Sequence, residues 1–292
     1  MEEKISNKNV LDVIDIVKCY PSRYNFRERR RNGLRQKTIS DLPVASNRAT
    51  NRAGTVLAGI NLHLAVGDKL ALVGQSAAGK STLAKIILGL EKPSSGEVFY
   101  YGEKLIYHQR KKKDPALEKI QTEVSLILQD PRSSFDPRMS IFSSVSEPLL
   151  STKKIFNDKD KVAKALSKAG IDSKYFARYP HQLSGGQLQR AAIARAIVSE
   201  PKFLIADEMV SALDPSRRKE ILDLLIDAIS EEMDALIFIA HDLSAAKYLC
   251  NKIAIIHNGK IVEYGDIHNI LENPKDTYTK QLIYADKVLS KT

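Results

Sequence analysis

The octapeptide Gly74-Gln-Ser-Ala-Ala-Gly-Lys-Ser81 restricts the folds open to this chain more than any other feature. It has the spacing G-x4-G-K-S and stands between an apolar run, 69–73, and a segment, 82–90, whose apolar residues recur at helical spacing. Such a turn bends the backbone so that successive N–H groups and the start of the following helix converge on an anionic ligand. Lys80 would reach the β- and γ-phosphates of a nucleotide, and the Ser81 hydroxyl would ligate Mg2+. Gly74, Gln75, Ser76, Ala77, Ala78, Gly79, Lys80, Ser81 and the adjoining Thr82 are therefore candidate nucleotide-binding residues. A strand–turn–helix unit of this kind also needs a sheet to sit in.

The rest of the chain supplies one. Residues 203–206 and 236–240 are uninterrupted apolar runs bounded by polar residues, the pattern of central parallel strands buried on both faces. Residues 10–17, 56–66 and 124–128 read as further strands, and 93–102 as a turn with a short strand. Residues 253–264 carry Asn258-Gly259 between two apolar stretches, a strong hairpin signal. Helical spacing runs through 217–229 (Ile221, Leu222, Leu225, Ile229), and the sequence from Asp130 to about Leu183 is mostly helical and amphipathic, with prolines at its joints. The expectation is an α/β fold with antiparallel strands at the edges and one helical insert. At 292 residues and 43% hydrophobic, the chain can bury a core of that size.

Composition narrows the setting. Two cysteines, Cys19 and Cys250, are too few for a disulfide framework or a zinc site and point to a reducing compartment. No apolar run approaches the roughly 20 residues of a bilayer-spanning helix. The opening MEEKISNKNV lacks the apolar stretch of a secretory signal, so neither a secreted nor a membrane-embedded chain is expected. The net charge is +10, and seven of it lies between Lys18 and Lys37, where eight basic residues face only Glu28. This Arg-rich polar insert, 21–54, is compatible with a solvated loop or with one lying beside acidic headgroups or a partner protein. It is unlike the extended basic face of a nucleic-acid binder, so no nucleic-acid partner is expected. The smaller cluster Arg110 to Lys113 reads as a loop tip.

Two more segments carry chemistry. Asp207 and Glu208 follow the buried run 203–206, at the sheet edge where open α/β folds bind ligands. An acidic pair after a strand is more often a helix cap or plain loop, but beside Lys80 it acquires roles: Asp207 to hold Mg2+, mostly through water, and Glu208 to polarise an attacking water. Leu183-Ser184-Gly185-Gly186-Gln187 precedes a helix rich in small residues. Ser184, the glycine N–H groups and the helix dipole form a second anion site, which suggests that one chain's second site serves a neighbouring subunit.

Together Gly74–Ser81, Gln129 in Leu-Ile-Leu-Gln-Asp-Pro, Leu183–Gln187, Asp207-Glu208, Ser211-Ala-Leu-Asp214 and His241 occur in the order and spacing of ATP-binding cassette ATPases. The chain resembles that family from about Val10 to its end. The resemblance implies a P-loop NTPase (RecA-like) core with an antiparallel β subdomain and an inserted α-helical subdomain, binding ATP and Mg2+. It implies an ATPase domain over 10–265 that includes the basic insert 21–54 and a helical subdomain 131–183, followed by a tail, 266–292. By the same resemblance Gln129 senses Mg2+ and the γ-phosphate, His241 contacts the γ-phosphate, and Asp214 works across a dimer interface. An aromatic residue upstream of the phosphate loop stacks on adenine; Tyr20 is the candidate, with Tyr24 and Phe26 competing.

A narrower resemblance is to the subfamily that powers uptake of oligopeptides, dipeptides and nickel. It rests on Gln129-Asp-Pro-Arg-Ser-Ser-Phe-Asp-Pro-Arg138-Met, Glu147-Pro-Leu, Arg178-Tyr-Pro-His-Gln-Leu-Ser-Gly-Gly186 and Asn273-Pro-Lys-Asp-Thr-Tyr-Thr-Lys-Gln-Leu282. What this implies is a peripheral subunit at the cytoplasmic face of the cell membrane, hydrolysing ATP to drive peptide import. Its partners would be a second, different ATPase subunit, two transmembrane permease subunits and, indirectly, an extracytoplasmic binding protein. A nickel or metal-chelate importer, an efflux ATPase and a soluble cassette protein are the alternatives. Ala77 stands where the family often has glycine, which costs about 1 kcal/mol if that position requires positive φ. Met209 replaces the proline usual after the catalytic glutamate.

Overall fold

The computed structural model describes residues 9–20, 54–107, 114–151, 158–211, 213–229 and 233–289. Most of the basic insert, with Tyr24 and Phe26, and the cluster Arg110 to Lys113 lie outside them. Among the described residues two sheets share the work. The smaller is antiparallel: β1 (Asn9–Cys19) lies between β2 (Thr55–Ala65) and β4 (Ser95–Tyr100), with the short β5 (Glu103–Lys104) outside β4. The larger has the order β10-β9-β3-β8-β7-β6. Its strands β3 (Asp68–Val73), β6 (Val124–Ile127), β7 (Phe203–Asp207), β8 (Ala235–Ala240) and β9 (Lys252–His257) pair in parallel, and β10 (Lys260–Asp266) closes one edge antiparallel to β9 through the Asn258-Gly259 turn.

Strand alternation explains how one sheet serves two cores. All six side chains of β8 are buried. Leu236, Phe238 and Ala240 join Leu204, Ala206, Val73 and Ile255 on one face, and Ala235, Ile237 and Ile239 join Phe203, Ile205, Leu72 and Ile256 on the other. A strand sandwiched in this way has no polar face, which is why its sequence reads as an unbroken apolar run. The second core also takes in the antiparallel sheet and helix α1 (Lys80–Ile87) through Leu83, Ile86 and Ile87. The first takes in the helical region.

That region holds α3 (Ile141–Ser151) and α4 (Lys159–Lys168), which pack with α5 (Gly185–Ile197), the helix that follows it, around Val145, Leu149, Val162, Leu166, Leu188 and Ala191. Preceding it is α2 (Pro115–Glu123), started by Asp114 as N-cap and Pro115 in the first turn. Beyond it lie α6 (Pro215–Ala228), α7 (Leu243–Leu249), α8 (Ile267–Glu272) and α9 (Thr277–Leu289).

One proline departs from the expectation that prolines mark the joints: Pro148 sits inside α3. Lacking an N–H, it cannot donate to the carbonyl of Ser144 one turn back. Arg195 of α5 does so instead, its Nε 3.0 Å from Ser144 O, while its Nη2 reaches Glu147 Oε2 at 3.2 Å. The proline is tolerated because a neighbouring helix satisfies the carbonyl that it orphans. Arg195→Ala should destabilise the chain by about 1–2 kcal/mol in urea denaturation. In a Pro148→Ala background the loss should fall by about half, since the new N–H can take over that carbonyl; equal losses in both backgrounds would refute the account.

Candidate nucleotide-binding site

Four parallel strands deliver the candidate residues to one edge. The phosphate loop follows β3, Asp207 ends β7, His241 follows β8, and Gln129 stands two residues beyond β6. The register pairs Val73 with Ala240, Asp207 with Ile239 and Ile127 with Ala206, so these strand ends lie level. Side chains arriving from distant parts of the chain meet there because hydrogen-bonded strands cannot slip past one another without breaking the ladder.

Glu208 is the centre of the cluster. Its Oε1 lies 2.5 Å from His241 Nε2 and 3.5 Å from Lys80 Nζ, and its Oε2 accepts from Gln129 Nε2 at 2.9 Å. The backbone is held in a conformation that side chains rarely adopt, φ 47°. Glu208 N donates to Ile239 O (3.0 Å), and Glu208 O accepts from both Ser211 N (3.1 Å) and Ser211 Oγ (2.9 Å). The left-handed turn swings the carboxylate off the strand direction toward Lys80. Ser211 helps pin that turn, a job hidden in sequence because it needs the φ of Glu208 to be known.

Lys80 is only 4% exposed. Its ammonium donates to the carbonyls of Gly74 (2.8 Å) and Gln75 (3.0 Å) as well as facing Glu208. Burial pushes its pKa down, and the charge of Glu208 opposes that. The loop around it has no room for larger residues at its ends. A Cβ at Gly74 would lie 2.4 Å from Ile256 O, and one at Gly79, where φ is 103°, would lie 2.5 Å from Leu57 Cδ2. Ala77 does take positive φ, 63°.

Asp207, at the end of β7, is partly buried beside Ser81. Burial pushes its carboxyl pKa up, with a hydrogen bond from Ser81 opposing, and its Oδ1 is buried without a hydrogen-bond partner. A desolvated carboxylate oxygen and the Ser81 hydroxyl beside it are hard oxygen donors of the kind that fits Mg2+. Ser81, Gln129 and Asp207 are the residues that could hold it.

The remaining candidates lie further out. Ser184 caps α5 in a reciprocal box: its Oγ accepts from Gln187 N (3.3 Å), and Gln187 Oε1 accepts from Ser184 N (2.9 Å). Among the described residues a Cβ on Gly185 or Gly186 would meet nothing within 4 Å, so their packing does not demand either glycine. Asp214 caps α6, accepting from Arg217 N (3.1 Å) and Ser216 Oγ (2.7 Å); the backbone bond from Arg217 is the main cause of its lowered pKa. Tyr20 is 40% exposed, with its hydroxyl on Glu91 and Lys18 Nζ 5.0 Å from the ring centre. Its N–H donates to Gly54 O at 2.7 Å, so the basic segment leaves and rejoins the fold at one hydrogen-bonded point.

Two residues that sequence reasoning passed over buttress these loops. Arg218 of α6 pairs with Asp242, next to His241, and donates to Leu213 O (3.3 Å) beside Asp214. Tyr278 of α9 reaches the phosphate loop, its hydroxyl oxygen accepting from Gln75 N at 3.1 Å. Tyr278 stands within the tail motif, but only the tertiary fold reveals its target.

The chain's relatives fit this geometry. A family model described as ABC transporter matches residues 57–211. The dipeptide transport ATP-binding protein DppF of Escherichia coli is 36% identical over 240 residues, covering 81% of this chain and 70% of the relative. The oligopeptide transport ATP-binding protein OppF of Streptococcus pyogenes is 39% identical over 228 residues, 77% and 73% of the two chains. Among solved structures, the dimeric cassette MJ0796 bound to ADP and Pi matches with a TM-score of 0.68 at 23% identity, over 88% of this chain and 98% of that one. CbiO1 of Clostridium perfringens, part of the transporter complex CbiONQ, matches with a TM-score of 0.69 at 25% identity, over 91% and 92%.

Relief of the strain at Ala77 can be measured. The left-handed conformation costs an alanine about 1–2 kcal/mol, and glycine returns part of this through its freer unfolded chain. Ala77→Gly should therefore raise stability in urea by about 0.5–1 kcal/mol; a destabilised variant would show that the loop does not hold this φ.

Proposed function

Since the chain belongs to the ABC transporter family and is an ATPase of that family, we propose that it is the ATP-hydrolysing subunit of a peptide importer. The observation that carries this reading is the Glu208 carboxylate, held at the sheet edge by Lys80, Gln129 and His241. The dipeptide and oligopeptide functions of the relatives support peptides as the cargo class. The chain associates peripherally with the membrane through permease partners; among the described residues no helix is long and apolar enough to cross one. We assign it to the cytoplasmic face, with two permease subunits and a second ATPase subunit of a different sequence.

In this reading the phosphate loop binds the triphosphate through its N–H groups and Lys80. Lys80 is shared between its own loop's carbonyls and Glu208. Phosphate competes for the same ammonium, so nucleotide draws Lys80 away and leaves Glu208 to accept a proton from the attacking water. Ser81, Gln129 and Asp207 would hold Mg2+, which when bound would neutralise phosphate charge. His241 and Gln129 keep the Glu208 carboxylate oriented and, as it gives up Lys80, bring hydrogen-bond donors toward the γ-phosphate.

The turn Ser184–Gln187 belongs to the other half of the reaction. Gly185 and Gly186 border open space, which suits close approach by the nucleotide held on a second ATPase subunit. Closing that seam would carry the helical region, 131–183, against the permease, and Asp214 would lie along it. The basic insert, 21–54, belongs to this ATPase domain, 10–265, and the tail 266–292 follows it.

Glu208→Gln, with the equivalent glutamate of the second ATPase subunit also changed, should cut turnover of the assembled transporter by about 100-fold or more while ATP still binds. Undiminished turnover would remove Glu208 as the base. The seam has its own test, since Ser184→Arg should leave ATP binding by the single chain within about twofold yet lower turnover of the assembly by at least about tenfold. Equal turnover would mean that no second subunit completes the site.

A further inference from the structure

We propose that α9 is a positioning element for the phosphate loop, acting through the Tyr278 hydroxyl on the Gln75 peptide. The inference rests on the reading of that loop as the ATP site and adds a determinant of its nucleotide affinity. Gln75 is the pivot at which the loop leaves β3. Its carbonyl accepts from Ala78 N (3.2 Å), closing the first turn, and from Lys80 Nζ (3.0 Å). Its N–H, pointing away from both, donates to Tyr278 Oη at 3.1 Å. The 74–75 peptide is thus fixed on both sides, its N–H by Tyr278 and its carbonyl, Gly74 O, by Lys80 Nζ at 2.8 Å, and the N–H groups that follow it in the loop inherit that orientation. A cradle of backbone donors is useful only if it is aimed before the ligand arrives, because misplacement of about 1 Å is costly.

Tyr278 is built to act as a fixed post. It is 9% exposed, and its ring stacks on His257 at the end of β9, with centroids 3.9 Å apart and planes 21° apart. The start of α9 is tied down on both sides. Asp276 Oδ1 accepts from Tyr278 N (2.7 Å), and Glu263 Oε1 of β10 accepts from Lys275 N (2.5 Å) and Asp276 N (2.8 Å). Further along, Asp286 Oδ1 accepts from Leu243 N at 3.4 Å, two residues beyond His241. Burial, with the charge of Asp242 adding to it, pushes the Asp286 pKa up. One helix therefore touches both the phosphate loop and the turn that carries His241.

The test compares Tyr278→Phe with the unaltered full chain, using Mg-ATP as the probe. The phenylalanine keeps the ring on His257 and removes only the oxygen that receives the Gln75 N–H. The expected result is a dissociation constant for ATP raised about three- to tenfold, the weight of one hydrogen bond. In the assembled transporter KM for ATP should rise with kcat within about twofold, and the melting temperature of the nucleotide-free chain should fall by no more than about 2–4 °C, the weight of that one bond. Tyr284→Phe, on the exposed face of the same helix, should bind as the unaltered chain does. Unchanged ATP affinity in Tyr278→Phe overturns the proposal, as does a fall in melting temperature well beyond that of one hydrogen bond or a loss of affinity shared by Tyr284→Phe. Lys80→Ala separates the two levels. If it abolishes ATP binding while Tyr278→Phe does not weaken it, only the role of α9 is lost. If Lys80→Ala binds normally, the ATP-site reading falls and the proposal with it.

Discussion

A lysine ammonium withdrawn almost completely from water is tolerable only where oxygen atoms surround it, and the arrangement at Lys80 follows from that constraint. Two carbonyls of its own loop and the carboxylate of Glu208 provide the oxygens. To bring that carboxylate close, the chain after β7 must turn left-handed at a glutamate, and Ile239 and Ser211 hold it there. His241 and Gln129 occupy the other lone pairs of the carboxylate. A buried ammonium is thus joined, directly or through Glu208, to three loops from elsewhere in the sequence.

Much of this was legible because the chemistry is local. A backbone cradle needs glycines at fixed spacing, and the contacts at Gly74 and Gly79 show the steric reason. The apolar runs at β7 and β8 announced strands with two covered faces, and the two cores divide their side chains accordingly. The Asn258-Gly259 turn joins its strands where the pairing of β9 and β10 requires. What escaped depends on partners far apart in sequence. Pro148 reads as a helix end unless Arg195, 51 residues from Ser144, is known to cap the carbonyl it strands. The helix Pro115–Glu123 has a readable start in Asp114-Pro115, but its apolar face is short. Asp214 shows a different limit: its residue type fits a helix cap, which it is within this chain, and a cross-subunit contact equally well.

The same division separates fold from assembly. The parallel strand ends bring Lys80, Glu208, Gln129 and His241 together within a single chain, whereas the capped start of α5 has its side chains satisfied by each other and, among the described residues, its glycines facing open space. A feature that costs helix propensity and serves no internal packing acquires a physical reason only when another molecule is allowed against it. In the proposed function that molecule is a second ATPase subunit.

The hydrogen bond between Gln75 and Tyr278 joins residues 203 positions apart. A ribosome adding about 5–20 residues per second needs roughly 10–40 s to cover that interval. During synthesis, then, the strand and turn that bind phosphate emerge early, but the post that aims them arrives late. Until α9 docks, a nascent chain carries its phosphate loop without the contact that orients the Gln75 N–H, so the loop's final geometry waits on a segment made long after it.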